Sequence, residues 1–260
     1  MNWQFLIELE DLPWFPHMFR KQITDALQFF TTDMKVYDPI IPEFLWVLQQ
    51  SKTKKVIDLC SGGSGPWEYL LAASADINTS VEKITLTDLY PNMEAMAELT
   101  STHPKVEFEE KPVNALDVDE NLKGVRTLFS CFHHFTTAEA TSILQDAVDK
   151  KMPICIYEFT GRRAVNFFHT PVATAILFTK LLFKRPLTIQ KILFSYILPI
   201  VPLIYLWDST VSHLRSFSQD ELRAMITNIN NGDSYEWEIG ENSSPRSHLR
   251  NTFLIGYPKT

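Results

Sequence analysis

From residue 54 onward the chain alternates short apolar runs with amphipathic stretches. Apolar and β-branched runs at 55–60, 84–89, 106–113, 126–132 and 153–160 predict five strands. Helical periodicity between them predicts helices over 66–74, 91–101 and 137–149. The last follows Thr136 with Glu139 three residues on, a capping box, and carries Ile143, Leu144, Ala147 and Val148 on one face. Ser218 and Glu221 make a second such box and predict a helix over 219–229. Two further strands, 235–240 and 252–257, read as a hairpin. Alternation of this kind predicts an α/β fold: a doubly wound, seven-stranded, mostly parallel sheet with helices on both faces and an antiparallel final strand.

Two segments stand outside that alternation. Residues 1–50 carry Phe19, Ile23, Leu27 and Phe30 at helical spacing, which predicts a helical N-terminal cap. Residues 161–217 contain PVATAILFTKLLFKRPL and ILFSYILPIVPLIYLW, which predict a helical, hydrophobic lid inserted after the fifth strand. The expected organisation is a single domain over 1–260, with 51–160 and 218–260 as its ligand-binding core. The run from Ile192 to Trp207 is shorter than the roughly twenty apolar residues of a spanning helix, and Pro199 and Pro202 interrupt it, so a membrane span is not expected. Lys180, Lys184, Arg185 and Lys191 interleave with apolar residues, and peripheral membrane contact through 171–207 is the alternative to a lid.

The candidate chemistry begins where the first strand ends. Asp58-Leu59-Cys60 empties into Ser61-Gly62-Gly63-Ser64-Gly65, and Pro66 stands where a helix begins. Strand, small-residue turn and helix N-terminus together form a cradle in which bare backbone approaches a ligand. About thirty residues on, the second strand ends in Asp88-Leu89. An acid in that position is placed to take the two hydroxyls of a ribose. Together they imply an adenosine-containing cofactor.

This pairing resembles the class I S-adenosylmethionine (SAM)-dependent methyltransferases, a Rossmann-like family whose first motif is acid-x-Gly-x-Gly-x-Gly and whose second is the acid ending strand two. Here the first motif runs Asp58-x-Cys60-x-Gly62-x-Ser64, with small residues at two glycine positions and Gly63 and Gly65 beside them. The terminal hairpin after five βα units also matches that family. The segments at 10–16 and 206–215 are similar to phrases recurring in uncharacterised bacterial members of small-molecule type. The resemblance implies SAM as cofactor, held by Asp58, Ser61, Gly62 and Gly63 at the methionine part and by Asp88 and Leu89 at the ribose and adenine. Asn114 and Ala115, between strands three and four, would read the adenine edge, with Asp117 the competing candidate, and Cys131 would complete the cofactor set.

Methyl transfer is an in-line displacement, so the protein mainly aligns the acceptor and excludes water, and a base serves only if the acceptor must lose a proton. Strand four runs out in Phe132-His133-His134-Phe135, and paired histidines there are similar to those of small-molecule methyltransferases. Imidazole is a suitable base at cellular pH. A continuing strand would send His133 and His134 to opposite sides, so one of them is expected at the methyl group. Glu158, ending strand five, is the candidate to orient a histidine or hold a polar acceptor group; a salt bridge to Arg162 or Arg163 is its other reading. Asp208 and Arg215 are expected to pair structurally or to reach a headgroup.

Composition narrows these readings. With 260 residues, 45% hydrophobic and 21% charged, the chain is globular, and its net charge of −7 without a long basic stretch argues against nucleic acid as partner. The three cysteines, Cys60, Cys131 and Cys155, lie in or beside apolar runs and read as reduced thiols; their spacing predicts no metal site. The N-terminus lacks a signal-peptide pattern, so a cytoplasmic protein is the expectation, with membrane association as the alternative. The apolar surface of 173–183 and 192–207 points to a hydrophobic or amphipathic small-molecule acceptor, lipid-like in character. The alternatives are a non-catalytic SAM-binding module and an NAD-dependent oxidoreductase, the latter disfavoured because Gly-x-Gly-x-x-Gly is absent.

Overall fold

The structure is a computed structural model that describes residues 3–62, 65–184, 187–243 and 249–259. In chain order its first half contains α1 (His17–Asp33), α2 (Ile41–Gln50), β1 (Lys55–Asp58), α3 (Trp67–Ala73), α4 (Ala75–Ser80), β2 (Lys83–Leu86), α5 (Met93–Thr102) and β3 (Val106–Phe108). β4 (Val125–Phe129), α6 (Thr137–Asp149) and β5 (Ile154–Glu158) follow. Then come α7 (Ala164–Leu181), α8 (Ile189–Ile192), a π-helical turn (Leu193–Ile197) and α9 (Ile200–Arg215). The last elements are α10 (Gln219–Thr227), β6 (Tyr235–Ser243) and β7 (Arg250–Pro258). The chain divides into two compact units, one of residues 35–159 and 218–260, the other of residues 1–34 and 160–217. The segment 1–50 is therefore not one cap: it divides after Met34, and α2 belongs with the sheet, where Phe44 meets Trp67 edge-on at 5.8 Å.

The larger unit is a seven-stranded sheet in the order β3-β2-β1-β4-β5-β7-β6. β1 to β5 pair in parallel, and β7 lies antiparallel between β5 and β6. The chain moves outward from β1 to β3, returns to β4 beside β1, and proceeds the other way. With right-handed crossovers, that reversal puts the helices of the two halves on opposite faces. β4 and β5 are buried along their whole length, as the unbroken apolar runs of central parallel strands require. The charged residue in their interior is Arg126, whose guanidinium donates to Asp146 of α6 at 2.7 Å. Lys150 extends the cluster, 2.5 Å from Asp146 and 2.8 Å from Asp117.

Every parallel strand ends earlier than its apolar run. β1 stops at Asp58 and β4 at Phe129, although apolar residues continue beyond both. Cys60 at φ +58° and Ser130 at φ +49° explain this: left-handed backbone cannot continue a ladder, whatever the hydropathy of the next residue. Both capping boxes are present, with Thr136 Oγ1 accepting from Glu139 N and Ser218 Oγ from Glu221 N.

The smaller unit is helical. Ile23 and Ala26 of α1, Leu177 and Phe178 of α7, and Val201 and Tyr205 of α9 form its buried core, with Phe19, Leu27 and Phe30 packed against it as their spacing predicts. Asp208 accepts from Leu9 N at 2.7 Å and Glu10 N at 3.3 Å, while Arg215 lies 3.1 Å from Asp11. Both residues thus tie the N-terminal segment to α9, which is the structural role rather than the headgroup role. Among the described residues no single helix is long and apolar enough to cross a membrane; Ile189–Ile197 and Ile200–Arg215 are bent by 66° to each other.

Candidate functional site

The carboxyl ends of β1, β2, β4 and β5 bring the candidate residues to one edge of the sheet, around the point where strand order reverses. Open α/β sheets bind ligands there because the diverging loops leave a crevice. The turn after β1 is held from below. Asp58 is buried and accepts from Ser61 Oγ and Thr127 Oγ1, both at 2.7 Å. Burial pushes its carboxyl up to about 7, opposed by those two hydrogen bonds. Ser61 also ties β1 to β2, its N–H donating to Thr87 O at 2.9 Å and its Oγ accepting from Thr87 N at 3.2 Å. Asp58 and Ser61 therefore shape the cradle from beneath rather than line its open side.

Gly62 in this turn is exposed. Its φ is +53°, and a Cβ placed on it would meet nothing within 4 Å, so its backbone faces open space. Its N–H donates to Asp88 Oδ2 at 2.8 Å. Gly63, also expected here, lies outside the described residues. Asp88 Oδ1 accepts from Tyr90 N at 2.8 Å, so two backbone N–H groups aim the carboxylate. Leu89 and Tyr90 beside it are exposed apolar side chains, Tyr90 at 82%.

Val113 N donates to Asp88 O at 2.9 Å, which brings Asn114 and Ala115 next to the end of β2. Ala115 is buried and Asn114 exposed. Asn114 Oδ1 accepts from Leu116 N at 3.0 Å, an Asx turn that fixes the side chain and leaves the oxygen a second lone pair. Asp117, the competing candidate, is exposed and pairs with Lys150 Nζ at 2.8 Å.

On the β4–β5 side the histidines depart from the expectation of opposite faces. The strand has ended at Phe129, and a 3-10 turn, Phe132–His134, lays the two rings side by side, centroids 4.4 Å apart and tilted by 32°. Glu158 orients the first of them. Its Oε2 lies 2.7 Å from His133 Nδ1, and its Oε1 accepts from Phe132 N at 2.7 Å. Both side chains are nearly excluded from solvent. A carboxylate at Nδ1 favours the tautomer with the proton on that nitrogen and holds the ring in one orientation.

Two residues here escaped the sequence reading. Tyr37, buried, hydrogen-bonds through its hydroxyl to Ser130 Oγ at 3.0 Å and stands edge-on to Phe129 at 5.4 Å and to Phe159 at 6.3 Å. Burial holds its phenol well above the usual range. Neither Tyr37 nor Ser130 belongs to a motif, and only the isolated small residue between Phe129 and Cys131 hinted at a strained turn. Cys131 is buried against Cys60, and that hydrogen bond, with burial, raises its thiol well above the ordinary value.

No family model matches the chain, and no curated protein matches it in sequence. Solved structures do. The plantazolicin methyltransferase BpumL in complex with SAH is similar over 97% of this chain and 95% of its own, at 12% identity and a TM-score of 0.57. The fold is that of the class I SAM-dependent methyltransferases. BpumL with a pentazolic desmethylPZN analogue and SAH gives a TM-score of 0.56 over 97% of this chain and 98% of its own, at 12% identity. The methyltransferase domain of bacterial CtHen1 gives 0.51 over 84% and 96%, again at 12% identity. In this methyltransferase fold the cradle after β1, the acid after β2 and the His133–Glu158 pair share the carboxyl edge of one sheet.

Proposed function

We propose that the chain is a SAM-dependent methyltransferase acting on a hydrophobic or amphipathic small molecule. The carrying observation is the contact between Gly62 N and Asp88 Oδ2, which joins an open, Cβ-free turn to an oriented carboxylate at the sheet's switch point. These residues fit the cofactor. The bare backbone at Gly62 leaves room for the methionine part, and Asp88 retains lone pairs for ribose hydroxyls beyond the two N–H groups it accepts. Leu89, Ala115 and Asn114 would receive the adenine. The family resemblance and the SAH of the neighbouring structures support the same reading. When bound, SAM supplies an electrophilic methyl group on a positively charged sulfur.

The chain's own residues then align the acceptor, exclude water and take a proton. His133 accepts it at Nε2, and Glu158 balances the imidazolium charge through Nδ1. His134 lies beside that ring, 4.4 Å away between centroids, and Tyr37, buried, packs edge-on against Phe129 and Phe159 at the ends of β4 and β5. That BpumL was solved with SAH and a desmethylPZN analogue together supports a fold taking cofactor and a second ligand at once.

Calorimetry with SAM and with NAD tests the cofactor: SAM should bind and NAD should not, and the reverse result sinks the reading. Transfer of labelled methyl from SAM into a lipid extract tests the acceptor class. His133→Ala should lower that transfer roughly 100- to 10,000-fold while leaving SAM affinity within a few-fold. SAM bound but never consumed, with any extract, would make the chain a binding module.

A further inference from the structure

Segment 160–217 carries a surface and a charge that methyl transfer does not require. Of the twenty large apolar side chains exposed among the described residues, thirteen lie in it. They are ordered. Val165, Phe168, Val172 and Ile176 follow one another along α7 at a spacing that puts them on one stripe, each between 49% and 77% exposed, while Thr170, Thr174, Leu177 and Phe178 turn inward. α9 repeats the pattern, with Leu203 and Trp207 outward and Val201 and Tyr205 inward.

Between the two halves of the bent pair the chain forms an apex, Ile197-Leu198-Pro199-Ile200, all of it exposed. Every exposed side chain from 197 to 207 is apolar. A wedge of this shape is no span, but an interfacial element needs only to bury an apolar face some 5–10 Å deep.

Charge says what covers it. From Arg162 to Trp207 the sequence holds six basic residues and no acidic one, in a chain of net charge −7. Lys180 and Lys191 are paired with Asp33 and Asp25 of α1. Even so, the unit of residues 1–34 and 160–217 keeps nine Lys and Arg against six Asp and Glu. Residues 35–159 and 218–260 hold fifteen against twenty-five. A second copy of this unit would bring like net charge to like. An anionic lipid surface complements it.

We infer that the apex Ile197–Ile200 and the outward stripes of α7 and α9 dock into the headgroup–acyl boundary of an anionic bilayer. Docking of this kind does not depend on the methyl-transfer reading. Flotation of the purified full-length chain with phosphatidylcholine vesicles, with and without phosphatidylglycerol, tests it. The protein should float with the anionic vesicles, and high salt should weaken the association. The double variant Ile197→Glu/Leu198→Glu should lose about tenfold or more of the binding, with unchanged circular dichroism and melting because both side chains are exposed.

Failure to float, or a double variant that floats as well as the parent, overturns the docking surface. Equal binding to both kinds of vesicle overturns the anionic partner. A dimer in sedimentation that the double variant dissolves assigns the face to a second copy and overturns the proposal. SAM calorimetry on both proteins reads the cofactor site separately, so loss of one function is not mistaken for loss of the other.

Discussion

Cys60 and Ser130 hold left-handed backbone at the ends of two adjacent strands, with φ of +58° and +49°. Each costs roughly 1–2 kcal/mol relative to ordinary geometry, and strain of this kind gathers where a chain must turn sharply to present a site. Cys60 stands at the first glycine position of the family's motif. Cys60→Gly should remove that cost, less the roughly 0.5–1 kcal/mol of added unfolded-state entropy, and raise stability by about 0.5–1 kcal/mol in urea denaturation. A destabilised variant would mean that the thiol contact with Cys131 outweighs the strain. Asp88 is the other decisive residue. Asp88→Ala removes a charge-assisted acceptor worth roughly 1.5–3 kcal/mol, so SAM affinity by calorimetry should fall about 10- to 100-fold; unchanged affinity would take Asp88 out of the site. Among these residues the motif acids were legible, because their chemistry survives in one dimension. The pairing of His133 with Glu158 was only one of three readings, and Tyr37 was invisible.

At the scale of elements, the β6–β7 hairpin closes the sheet through close packing of aromatic rings on glycines. Trp237 lies opposite Gly256 in register, and a Cβ at Gly256 would stand 2.3 Å from the Trp237 ring. Gly256→Ala therefore overpacks the strand pair and should cost about 2–3 kcal/mol, read as a lower denaturant midpoint with the slope unchanged. A neutral result would show that the ring swings away freely. The helices at Thr136 and Ser218 were legible from their capping boxes, since a cap is a local contract between residues three apart. Strand ends were not. Apolar residues continue past Asp58 and Phe129 into loops that bury them, so hydropathy overran each strand until a positive φ stopped it.

For the molecule as a whole, two of the buried carboxyls, Asp58 and Asp208, give a response to pH. Burial raises Asp58 to about 7 and Asp208 to about 6, against roughly 3.9 for an unfolded Asp. A carboxyl raised on folding favours the folded state when protonated. Its contribution is full below about pH 4 and is lost as pH rises through 6 for Asp208 and 7 for Asp58. Melting temperature should therefore climb as pH falls from 8 to 5, before general protonation of surface carboxylates reverses the trend. Asp58→Asn, which cannot ionise, should flatten the upper part of that curve; an unchanged slope between pH 6 and 8 would show that Asp58 is ionised throughout.

Features that depend on near neighbours were written in the order of residues alone. The βα alternation, the hairpin, both capping boxes, the small-residue turn and the acid of β2 follow from side chains a few residues apart, whose periodicity and backbone preferences need no partner. The remaining contacts depend on strand order, which exists only in the folded chain. Placing β4 between β1 and β5 brings Thr127 to Asp58, Cys131 to Cys60 and Glu158 to His133, contacts between residues 25 to 71 positions apart. Such contacts follow from which strands share a ladder. No local pattern states that choice; it is made when burial of the whole sheet is satisfied at once.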